Sequence, residues 1–156
     1  MSHWTKGKLK MKCSLAVLQR ALIKVMPSWK DHIKVSESGE LTAYNSYTGS
    51  SSKGYHLVVP GGDNPMGGKV AGVRSAPGLS YADVGFKKNK DGTWSVQIDR
   101  GGLPYDHRQL ENEISEEAAK QTLEATAASQ GWGAARQPDG SLIVIRPIEA
   151  RHQLRA

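Results

Sequence analysis

Residues 2–13 read SHWTKGKLKMKC, with lysine at alternate positions: Lys6, Lys8, Lys10 and Lys12. Thr5, Gly7, Leu9 and Met11 fall between them, and Trp4 joins the lysines. A period of two is that of an extended strand with one half-buried side, so the chain opens on a strand. Ser14 follows as a helix cap, and Leu15, Leu18, Leu22 and Val25 recur at helical spacing until Pro27. A strand leading into an amphipathic helix sets the fold class, and the rest of the chain extends it.

Residues 33–35 and 41–47 read as strands joined by a turn at Ser38-Gly39, and TGSSSKG at 48–54 as a flexible polar loop. A short strand at 55–59 ends at Pro60. Residues 61–80 hold too much glycine and proline for a long element and form a loop insertion. Residues 81–86 and 93–99 form a hairpin whose turn chemistry comes from Asp91-Gly92. Asp106 with Gln109 matches a capping box, opening a helix to about residue 130 with Leu110, Ile114, Ala118, Ala125 and Ala128 on one face. Gly131 terminates it. Strands at 134–137 and 142–146 form a last hairpin over Pro138-Asp139-Gly140, and a basic tail occupies 148–156. The order β-α-β-β-β-β-β-α-β-β implies an α+β domain over 1–147, an antiparallel sheet with two helices on one face.

The 156 residues suit one core of ordinary size, and 38% hydrophobic with 23% charged residues is a globular mixture. The net charge of +6 is unevenly placed. Residues 1–34 hold eight Lys/Arg against the single acid Asp31, and the remainder holds 13 bases and 14 acids. A local excess of this kind speaks of partners rather than of fold. Cys13 is the only cysteine, which excludes an internal disulfide and a cysteine-based zinc site within one chain. No apolar run has membrane-spanning length, and the N-terminus lacks the apolar stretch of a secretory signal, so the expectation is a cytoplasmic protein without a membrane partner.

Alternate lysines on a strand stand about 7 Å apart, near the spacing of successive phosphates on one nucleic-acid strand. They could equally dock an acidic protein surface, or only blunt an exposed sheet edge. Lys69 and Arg74, in the glycine-rich loop, could add to an anion-binding concavity. GGDNPMGGKVAG is neither the Walker pattern nor the dinucleotide fingerprint. The five histidines lie far apart with no pair at metal-ligand spacing, so neither metal nor cofactor is expected. Asp83 and Asp99 sit on successive strands and could approach as an acid–base pair.

Three stretches carry a family resemblance: the opening Met1-Ser2-His3 before a strand and a leucine-rich helix, YADVGFKKNKDGTWSVQID, and ASQGWGAARQPDGSLIVIRP. The chain resembles an uncharacterised family of cyanobacteria, plastids and phages whose members begin Met-Ser-His. In that family the segment around Asp83-Val84-Gly85-Phe86 and the Asp139-Gly140-Ser141 turn recur in similar context. The resemblance implies a small α+β protein of unknown activity, often encoded beside an AAA+ ATPase, and supplies no catalytic residues. The 61–80 insertion and the alanine-rich second helix depart from it.

The first expectation is therefore a non-enzymatic accessory or interaction protein acting through its basic N-terminal strand on an acidic surface or larger assembly. The second is nucleic-acid or nucleotide binding through Lys6, Lys8, Lys10, Lys12, Lys69 and Arg74. The third is an enzyme with a site near Asp83 and Asp99 under the glycine-rich loop.

Overall fold

The computed structural model describes residues 4–9, 12–45, 49–61, 76–79, 82–99 and 106–147, with backbone alone at 4–6, 8 and 99. The backbone divides into two compact units, Met1–Ala118 and Ala119–Ala156, and the boundary falls inside the second helix.

In the first unit, strand β1 (Trp4–Leu9) precedes helix α1 (Leu15–Val25). The Ser14 side chain accepts the Val17 N–H at 3.2 Å, closing the helix N-terminus as the sequence implies. Pro27 ends α1, and its fixed φ opens a 3-10 helix, Pro27–His32, that buries Trp29. Five strands follow: β2 (Lys34–Val35), β3 (Leu41–Asn45), β4 (Ser50–Tyr55), β5 (Leu57–Val59) and β6 (Val84–Lys88). β7 (Trp94–Asp99) and helix α2 (His107–Ser129) complete the succession. The main sheet has the order β1-β7-β6-β5-β2, antiparallel at each pairing, and β3 pairs with β4 in a separate two-stranded sheet.

Register explains which residues face the core. Leu9 pairs with Trp94, Gly7 with Val96, Phe86 with Val96 and Leu57 with Phe86. Leu9, Leu57, Phe86, Trp94 and Val96 are all at most 1% exposed. They pack against Leu15, Leu18 and Leu22 of α1 and Leu110, Ile114 and Ala118 of α2, so both helices cover the same sheet face. Burying each such side chain contributes about 1.5–3 kcal/mol. The two buried indoles also tie distant segments together. Trp29 Nε1 donates to the Pro77 carbonyl at 2.7 Å, and Trp94 Nε1 to the Cys13 carbonyl at 3.0 Å.

On the opposite sheet face the β3–β4 hairpin makes a second, smaller apolar cluster. Tyr55 of β4 lies over Gly85 of β6, where a Cβ would sit 2.7 Å from the ring, and packs with Ala43, Val58 and Leu41. Glycine at this strand-interior position is what permits the approach.

Several expectations need correction. Residues 50–54, read as loop, are strand: their backbone pairs with β3 although their side chains carry no apolar alternation. Six strands, not five, therefore separate the helices. The capping box does not close, because Asp106 accepts the Arg108 N–H at 3.0 Å and Gln109 donates to Glu113 at 3.2 Å. Ala125 and Ala128 are exposed, and Ala127 takes the buried position.

The second unit holds the end of α2 and a two-stranded sheet of β8 (Gly133–Arg136) and β9 (Leu142–Ile145). Gly131, at φ +74°, ends the helix. Its own N–H bonds the Ala128 carbonyl at 3.1 Å and the Trp132 N–H bonds the Ala127 carbonyl at 2.8 Å, the Schellman pattern. Arg136 pairs with Glu124 at 2.6 Å. Ile143, Val144 and Ile145 of β9 are exposed.

Candidate binding face and cleft

Among the described residues no strand pairs with the outer side of β1, so the lysine-bearing strand is a sheet edge. Its helix-side positions are fixed by contact. Leu9 is buried, and Gly7 lies beneath the Glu111 carboxylate of α2, which a Cβ there would strike. Burial pushes the Glu111 carboxyl above its ordinary value, with His107 and Arg108 opposing the rise. Register sets Lys6 opposite Gln97 and Lys8 opposite Ser95.

Further lysines lie at the β6–β7 turn. Lys12 is exposed, and its stem runs past Gly92 at 3.6–3.7 Å from a Cβ position there. Lys88, the last residue of β6, and Lys90 in the turn are exposed, the Lys88 ammonium 5.9 Å from the centre of the Trp94 ring. The turn's acid, Asp91, is committed internally: its Oδ1 accepts the Thr93 N–H at 2.9 Å and the Thr93 hydroxyl. Burial raises the Cys13 thiol pKa, against which the Trp94 hydrogen bond and the Lys88 charge act.

Residues of β4, β6 and β7 line a cleft of about 250 Å³: Ser52, Tyr55, Lys87, Ser95, Val96 and Gln97. The Lys87 ammonium sits 4.9 Å from the Tyr55 ring centre, a cation–π contact. Tyr55 Oη donates to Ser52 Oγ at 3.3 Å, and Ser95 Oγ donates to Asn89 Oδ1 at 2.8 Å. Burial raises the Tyr55 pKa, partly offset by its bond to Ser52.

A second cleft, of about 280 Å³, is lined by Lys34, Glu40, Leu41, Thr42, Tyr44, Val58, Pro60 and Asp83. Asp83 has both carboxylate oxygens engaged by backbone, Oδ2 accepting from Tyr44 N at 2.9 Å and Oδ1 from Gly61 N at 2.7 Å. Burial raises its pKa, against the pull of those two bonds and of Lys34. The carboxylate thus clasps β3 to the start of the glycine-rich segment. Ala76 N donates to the Pro60 carbonyl at 2.8 Å. Asp99 ends β7 with its backbone paired to Trp4, and its side chain lies outside the described residues.

Of the six cationic residues singled out from sequence, Lys12 is exposed, and Lys6 and Lys8 have register positions beside β7. Lys10, Lys69 and Arg74 lie outside the described residues. Sequence reasoning missed Ser52, Tyr55, Lys87 and Gln97, which three strands distant in sequence bring to one cleft. Gly85 was the available signal, since a glycine inside a strand marks close approach by another group.

The fold is α+β, built on an antiparallel sheet with two helices on one face. No protein-family model matches the chain, and neither does any curated protein or solved structure. Among the described residues no helix is long and apolar enough to cross a membrane.

Proposed function

We propose that the chain is a binding module whose contact surface is the open edge of β1 together with the lysines of the β6–β7 turn. The carrying observation is that, among the described residues, the strand that holds Lys6 and Lys8 pairs with β7 alone and so is an edge of the main sheet. An edge of this kind takes an extended segment by strand addition. Main-chain hydrogen bonds then supply affinity, and alternate side chains supply specificity. With lysine at every second position, the complementary segment is acidic. The AAA+ ATPase implied by the family resemblance is the first assembly in which to look for such a segment.

The test is a fluorescence titration with an extended peptide alternating Glu and Val, beside a single-stranded oligonucleotide of equal charge. Peptide binding that weakens as salt rises, and weakens again when Lys6, Lys8 and Lys12 become Gln, supports the reading. Oligonucleotide binding with a steep salt slope and no peptide binding replaces it with nucleic-acid recognition.

A further inference from the structure

We propose that the cleft between β4 and β7 is a binding site for a phosphate group, either free phosphate or the end of a small phosphomonoester. It lies on the sheet's face rather than its edge, so it stands or falls apart from strand addition at β1.

The polarity of the lining carries the argument. None of the six lining residues is acidic. Among the described residues no carboxylate pairs with Lys87, whose ammonium is held at the cleft by the Tyr55 ring. Because Tyr55 Oη donates its hydrogen to Ser52 Oγ, the Ser52 hydroxyl keeps its own hydrogen for an acceptor. Ser95 has committed its hydrogen to Asn89, so its oxygen presents lone pairs to the one O–H of a monoprotonated phosphate. Gln97 adds an amide that can donate or accept. The cleft thus gathers a cation and neutral donors around a volume of about 250 Å³, room for one tetrahedral oxyanion. The neighbouring cleft, with Glu40 and Asp83 against Lys34, has the opposite balance.

The experiment is an amide NMR titration of the full chain with inorganic phosphate at constant ionic strength, repeated with methyl phosphate and with acetate. Saturable shifts confined to Ser52, Lys87 and residues 95–97 are expected with both phosphates, and weaker ones with acetate. Equal half-saturation by the two phosphates identifies free phosphate as the ligand, and tighter binding of methyl phosphate identifies a monoester. Lys87→Gln and, separately, Ser52→Ala should each raise half-saturation about tenfold, the worth of one charge-assisted hydrogen bond. Lys120→Gln, in the other unit, should leave it unchanged. Shifts that rise linearly without saturating, that spread equally over Lys88 and Lys90, or that persist in both cleft variants overturn the proposal. None of these outcomes depends on whether an acidic peptide binds β1.

Discussion

Gly85→Ala tests the packing that forms the cleft. A Cβ at position 85 would lie 2.7 Å from both Cδ1 and Cε1 of Tyr55. Carbon–carbon contacts are comfortable at about 3.5–4.0 Å, so the ring must retreat by about 1 Å. It has little room to do so, being 2% exposed and packed among Ala43, Val58 and Leu41. Overpacking of this kind costs about 1–3 kcal/mol. At about 2–4 °C per kcal/mol for a chain of this size, the midpoint should fall by about 2–12 °C. Circular dichroism during heating reads that shift, and urea unfolding gives the free energy. The cost should shrink in a Tyr55→Ala background, where the methyl group enters vacated space. An unchanged midpoint, or the same loss in both backgrounds, refutes the claim that the ring lies on the glycine.

Three further outcomes follow from the contacts described. Asp83→Asn replaces one of two accepting oxygens by a donor facing a backbone N–H, and urea unfolding should show a loss of about 1–3 kcal/mol. Glu111 has a raised carboxyl, so above its unfolded-state value the folded protein holds more protons than the unfolded chain and stability falls as pH rises through the folded value. Glu111→Gln should flatten that decline and be more stable than wild type at neutral pH, as read by denaturant unfolding across the carboxylate range. Gly131→Ala forces a side chain into the left-handed region at φ +74° and should cost about 1–2 kcal/mol, measured by the same unfolding experiment.

The elements whose local chemistry agrees with their tertiary role were legible in the sequence. Alternation around Leu9, the Ser14 cap with its leucine stripe, the Asp91-Gly92 turn and Gly131 all act within a few residues of chain, and each stands in the structure as its residue types imply. Ser50–Tyr55 was not legible, because a strand held by backbone pairing to β3 needs no apolar pattern. Asp106 and Gln109 have the spacing of a capping box, but Gln109 finds a nearer partner in Glu113. The cleft was the least visible part. It depends on β4 crossing β6 at Gly85 and on Lys87 reaching the Tyr55 ring, contacts between segments whose sequence order does not reveal their pairing.

The central claim, that the open edge of β1 is where a partner adds, is tested most directly by amide hydrogen exchange along residues 4–9 with and without the Glu/Val peptide. Strand addition predicts new protection at alternate β1 amides, those whose N–H groups point away from β7, with β9 unchanged. Protection that leaves β1 untouched, or that appears instead along the exposed Ile143–Ile145 stretch of β9, contradicts it.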